Sequence, residues 1–204
     1  NTQDFSAGAM QQLADARNSS ASATDILSFL PDTQNTNNNL ADAEMIAAAF
    51  KAGSSTSATL RISAFDTHSN NDQKQFTQMD KLLTLVDYLW DQLEIQGVAD
   101  KTTIVMSSEF ARLPTTRDNL GKDHWPISSM VFMGAGITGN RVIGATDDGL
   151  NALPIDPNTL ALSDTGLQIN PASIYDALRR TTGLSGTPTD LLYPLNADYI
   201  NFFA

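Results

Sequence analysis

"TTIVMSS", residues 102 to 108, is the stretch on which the fold turns. It is a short apolar run without alternation, the pattern of a strand covered on both faces, as in a buried parallel sheet. It leads directly into Glu109. Upstream, "ATLRISAF", residues 58 to 65, has the β-branched and aromatic content of a strand and leads into Asp66. Downstream, "ISSMVFMGAG", residues 127 to 136, is another apolar run and ends in glycines.

Between the first two runs, Phe76 to Leu93 carries Met79, Leu82, Leu83, Val86, Leu89, Trp90 and Leu93 at offsets of three and four, which predicts a long amphipathic helix. "LADAEMIAAAFKA", residues 40 to 52, predicts a second helix, with Gly53 where a C-terminal cap is expected. "ASIYDALRRTTG", residues 172 to 183, predicts a third. Residues 5 to 17 are loosely helical, and "NSSASATD", residues 18 to 25, suits a turn and a new helix cap. Residues 31 to 39 are expected to form an exposed polar loop, because "DTQNTNNN" has no apolar period and a single charge, Asp32.

Strand, helix, strand, loop, strand, helix is the order of βαβ units. The expectation is an α/β fold with a doubly wound, mostly parallel sheet flanked by helices, in a single domain spanning residues 1 to 204. A β-hairpin excursion is expected near residues 134 to 150. There "GAGITG" matches the dinucleotide fingerprint, but "NRVIGATDDG" after it reads as a strand and turn where that fingerprint needs a helix. No dinucleotide cofactor is expected.

Twelve Lys and Arg stand against 23 Asp and Glu, for a net charge of −11. Nucleic acid is excluded as a partner, since phosphate counterion release needs a concentrated cationic face. No run of about 18 apolar residues occurs, so no transmembrane segment is expected. With no cysteine, disulfides and thiolate metal sites are excluded, which suits a cytosolic or an exported protein equally. The opening at Asn1 instead of Met suggests a processed or cut start.

The polar residues fall at the ends of the expected strands. Asp66 and His68 follow the first, Glu109 and Arg112 follow the second, and Asp123 with His124 lead into the third. Ligands of open parallel sheets bind at the carboxyl ends of strands, so the loop "ARLPTTRDNLGKDHWP" is expected to bring the third set to the first two. Asp66, His68, Glu109 and His124 then offer the nitrogen and oxygen ligands that suit Zn²⁺, Mn²⁺ or Mg²⁺. Arg112, Asp123 and His124 are the candidate catalytic residues, with Arg112 gripping an anionic oxygen. The plainer alternative stays open: Asp66 and Thr67 cap a turn, His68 bonds backbone, and Glu109 with Arg112 forms a local ion pair. Trp125 reads as a core anchor. Ser107 and Ser108 lack the G-x-S-x-G context of a serine nucleophile.

"FDTHSN", "TTIVMSSEFARLP" and "GKDHWPISSMVFMGAGITGNRVIGATDDG", in that order, resemble the bacterial family known as domain of unknown function fifteen-oh-one. Its pattern is W-D-T-H, then V-V-x-M-S-E-F-G-R-T-P, then G-R-D-H-W-P with a glycine turn and G-A-T-D. The resemblance covers residues 40 to 185, with departures at Phe65, Ala111, Leu113, Lys122 and Asn140. That family is in turn similar to the alkaline phosphatase and sulfatase superfamily, which implies a doubly wound sheet and metal-assisted hydrolysis of phosphate or sulfate esters. By that resemblance Glu109 replaces a ligand Asp, whereas Phe110 stands where a ligand His is expected.

The resemblance further implies a bacterial protein exported to the periplasm or beyond, roughly twice this long by the size of such a sheet. The chain is then the C-terminal half, its partner the missing N-terminal half that carries the nucleophile, and its substrate a small anionic ester. Alone, it is expected to bind metal weakly and to cleave nothing. The alternative is a non-catalytic relative that uses the same polar cleft to bind a ligand or partner.

Overall fold

The computed structural model describes residues 23–203. They divide into two compact units: the described residues up to Thr102 together with Arg112–Asp123, and Thr103–Ala111 together with the chain from His124 onward. The helix expected over residues 5–17 and the start of the turn after it lie outside the described residues, and residues 23–29 are helical.

The first unit is built on two helices. Helix α1 (Asn38–Lys51) starts where the Asn37 side chain accepts the backbone N–H of Asn39 at 3.0 Å, satisfying one of the donors a helix start leaves open. Its buried residues, Ala43, Glu44, Ala47 and Ala48, make a low surface that admits a close neighbour. Helix α2 (Asn71–Ile95) packs against it and buries Leu85, Leu89 and Leu93, four residues apart. Burial contributes about 2 kcal/mol for each such leucine.

The predicted helix over residues 76–93 thus lies inside α2, but its face is turned. Leu85, outside the expected stripe, is buried, while Met79 and Leu83 within it are 45% and 55% exposed. Periodicity finds a helix more securely than it finds the edge of its buried face, because the packing partner decides that edge. The buried Glu44 carboxylate accepts the Tyr88 hydroxyl at 2.6 Å and the Asn35 N–H at 3.2 Å, so it is not stranded in the interface. The same acceptor pushes up the pKa of the Tyr88 phenol. Helix α2 ends at Gly97, whose φ of +66° lets the Val98 N–H turn back to the Leu93 carbonyl at 2.9 Å.

The expected first strand is not there. Residues 58–65 carry no regular structure, although Leu60, Ile62 and Phe65 are half-buried. Ala64 lies in the left-handed region at φ +70°, where a strand cannot continue. The first unit holds no strand among the described residues up to Thr102.

In the second unit, β1 (Thr103–Met106) lies within the predicted 102–108 run and pairs with β4 (Val131–Gly134), within the predicted 127–136 run. The ladder is antiparallel, with Thr103 opposite Gly134 and Met106 opposite Val131. A second ladder joins β2 (Ala111–Arg112) to β3 (His124–Trp125). Among the described residues there are thus two two-stranded sheets and no doubly wound parallel sheet. The physical reason is the connection. A parallel partner needs a crossover, usually a helix, but residues 107–130 contain none, and β4 returns antiparallel. An apolar run encodes burial, not direction.

The hairpin expected near 134–150 is likewise reduced to a turn closed by a single bridge, Thr146 to Ala152. The core of this unit gathers Ile155, Ala177, Ile200 and Phe202. Helix α3 (Pro171–Thr181), predicted over 172–183, delivers Ala177. It begins in a capping box, in which Asn170 and Ser173 satisfy each other's backbone donors. Helix α4 (Pro188–Leu192) is fastened by Arg179, whose Nη1 donates to Asp190 and to the Tyr193 carbonyl, both at 2.6 Å.

Candidate metal-binding residues and their supports

In the first unit, the short segment that enters α2 carries the densest set of polar contacts. Thr67 is buried and its hydroxyl donates to Asn71 Oδ1 at 2.6 Å, which turns its neighbours Asp66 and His68 outward. Gln75 Nε2, one turn into α2, donates to the Phe65 carbonyl at 2.7 Å. Asn70 takes the left-handed conformation at φ +46°, allowing the chain to enter the helix abruptly.

Residues 112–123 are laid along this segment by backbone bonds. The Asn70 N–H donates to the Asn119 carbonyl at 3.2 Å and the Asn71 N–H to the Leu120 carbonyl at 2.8 Å. Only glycine fits at position 121, because a Cβ there would stand 2.3 Å from the His68 carbonyl oxygen. Asn119 completes the join: its Nδ2 donates to the His68 carbonyl at 2.8 Å, and its Oδ1 accepts the Gly121 N–H at 3.0 Å.

Asp66 Oδ1 lies 3.8 Å from His68 Nδ1, with both side chains exposed. Arg112, only 10% exposed, donates through Nη2 to Asp66 and through Nη1 to the Lys122 carbonyl, the latter at 2.9 Å. The guanidinium expected to grip a substrate is therefore engaged in holding Asp66 and the 112–123 loop. Arg117 Nε donates to Asp123 at 2.7 Å, and Lys122 Nζ pairs with Asp72 at 3.1 Å. Arg112, Arg117 and Lys122 thus each have a carboxylate partner. Asp72 titrates below the ordinary carboxylate range, first because Asn71 donates to it and then because of Lys122. A depression of about 330 Å³ in this unit is lined by Asn70, Asp72, Gln73, Thr116 and Leu120, and by neither Asp66 nor His68.

The donor set fits a divalent ion. An ion about 2.1 Å from each ligand atom would hold the two about 3.4 Å apart at the tetrahedral angle, so the observed separation needs little adjustment. The oxygen at that separation, Oδ1, is also the one that accepts from Arg112, so an ion there would share it with the guanidinium.

The second unit holds the remaining candidates. Glu109 is exposed beyond β1. Phe110 stacks on His124 with ring centroids 4.0 Å apart and planes 30° from parallel. His124 stays exposed even so. Ser108 Oγ donates to the Phe110 carbonyl at 2.9 Å, in keeping with a turn residue. Trp125 is half-buried.

The structure therefore brings together Asp66, His68 and Arg112 in one unit, pairs Asp123 with Arg117 there, and sets His124 against Phe110 in the other. Asn119 and Asp72 were missed by sequence reasoning. The only hint of Asn119 was the Asn-x-Gly turn signal of "DNLGK". The profile of the family described as protein of unknown function, DUF1501, matches residues 4–168, beginning earlier and ending earlier than the motifs in residues 40–185. No curated protein and no solved structure matches the chain.

Proposed function

The chain belongs to that family of unknown function, and from this premise we propose that it binds a divalent ion, Zn²⁺, Mn²⁺ or Mg²⁺, through Asp66 and His68 and uses it on phosphate or sulfate esters. The single observation that carries this reading is the Asp66–His68 pair, a carboxylate and an imidazole 3.8 Å apart on a segment held rigid by Thr67, Arg112 and Asn119. Pre-set donors of this kind are what a metal site requires of its scaffold. A bound ion supplies charge that polarises an ester oxygen and offsets a net charge of −11, which otherwise repels anionic esters.

The residues around the pair orient and do not react. Arg112 fixes the Asp66 carboxylate and the loop carbonyl at Lys122, and Asn119 fixes the His68 backbone. His124, next in the chain after Asp123, is the residue whose substitution tests whether the ligand set extends beyond the pair.

A second reading, a non-catalytic relative that binds an ester or partner without cleaving it, is favoured by the pairing of Arg112, Arg117 and Lys122 with carboxylates. Calorimetric titration with each ion, followed by release assays on aryl phosphate and aryl sulfate, separates the two. Binding of one ion, weakened about tenfold or more by Asp66→Ala or His68→Ala, supports metal binding. Metal-dependent release of the aryl group supports hydrolysis, whereas ion binding without release accords with the second reading and equally with a chain that cleaves nothing alone. No binding by the intact chain refutes both the ion and what is built on it.

A further inference from the structure

Resting on the Asp66–His68 reading, we infer that Asn119 is a positioning residue: its carboxamide sets the backbone of His68, and thereby the reach of the imidazole toward Asp66. The carboxamide is used at both ends. Nδ2 donates to the His68 carbonyl at 2.8 Å, and Oδ1 accepts from Gly121 at 3.0 Å, so its plane is fixed by two bonds in opposite directions. Its own carbonyl accepts the Asn70 N–H, two residues past His68, so Asn119 holds the segment at His68 and again just beyond it.

His68 carries a largely exposed side chain, 73% of it open, so the course of its backbone sets where the imidazole can reach. A surface imidazole on a free backbone samples many positions, and gathering it onto an ion opposes binding. Groups behind a ligand that fix its orientation govern affinity for that reason. A loop anchor with no bearing on His68 would need only the bond to Gly121.

Asn119→Ser separates the two roles. A serine hydroxyl can still accept the Gly121 N–H in a turn, but it is too short to reach the His68 carbonyl. With Zn²⁺ alone as the probe, calorimetry is expected to give a dissociation constant about tenfold higher than wild type. Urea unfolding followed by circular dichroism reports whether the fold is kept. In the metal-free protein, the His68 ring-proton resonances, one of only two histidine sets, are expected to move toward the position of a free histidine. Unchanged Zn²⁺ affinity in Asn119→Ser overturns the inference. If wild type takes no Zn²⁺, the metal reading has failed by itself, and the resonances decide the positioning role: unchanged His68 signals refute it.

Discussion

The chain's two histidines are held in opposite ways. His68, in the first unit, is fixed through its backbone carbonyl by a hydrogen bond from a loop distant in sequence, with its side chain largely exposed. His124, in the second, is fixed through its ring, which lies against Phe110. A hydrogen bond to a carbonyl is directional and acts on the backbone without touching the ring. Stacking covers one face and leaves the ring edge, where both nitrogens lie, accessible. The first arrangement fails when a distant loop lifts off, and the second fails when one neighbouring ring is removed.

The largest effect is expected from Gly121→Ala. A methyl 2.3 Å from the His68 carbonyl oxygen and 2.8 Å from its carbon meets backbone on one side, which has little room to yield. The loop is expected to lift, at a cost of about 3 kcal/mol in urea unfolding and with disturbed His68 signals. His124 resonances that move as far as those of His68 would mean that the two supports are not separate.

Arg112→Ala comes next. It strips the largely covered guanidinium from Asp66 and from the Lys122 carbonyl, at an expected cost of about 2 kcal/mol in the same assay. Arg112→Lys is expected to recover only part of this, because a point charge cannot serve two acceptors as a planar fork does. Full recovery with lysine would show that charge alone holds Asp66.

Phe110→Leu probes the other side of the comparison. It keeps apolar bulk but removes the ring, and is expected to cost about 1 kcal/mol. The displacement that ring currents impose on the His124 protons should vanish while His68 is unaffected. Phe110→Tyr should retain it.

The smallest effect concerns acid. The Asp72 carboxyl is depressed in the folded protein, so the stability it confers is fully present above its unfolded value of 3.8 and is lost as pH falls through the lower folded value. Asp190 in the second unit is also depressed, first by the Gly186 N–H and then by Arg179. Urea midpoints compared at pH 5 and at successively lower pH should therefore fall with acid. Asp72→Asn should flatten part of the fall and leave the Asp190 share, and an unchanged profile would refute the role given to Asp72.

What could be read from residue order was what is local. The helical spacing between Phe76 and Leu93 found α2, the stretch "ASIYDALRRTTG" found α3, and Asp66, His68 and His124 stood out as polar residues ending or flanking apolar runs. These depend on contacts within a few positions, so neighbouring residues encode them. Tertiary structure decided the rest. "TTIVMSS" announces burial but carries nothing about direction, and it was β4 returning without a crossover helix that made the ladder antiparallel. Residues 58–65 have the composition of a strand, yet Ala64 breaks the extended path. Arg112 looks the same in sequence whether it grips a substrate or Asp66. Its contact, like that of Asn119, is set by which oxygen lies within 3 Å of its nitrogens, and hydrogen bonds across 46 and 51 residues depend on the folded path of the chain, which no local pattern encodes.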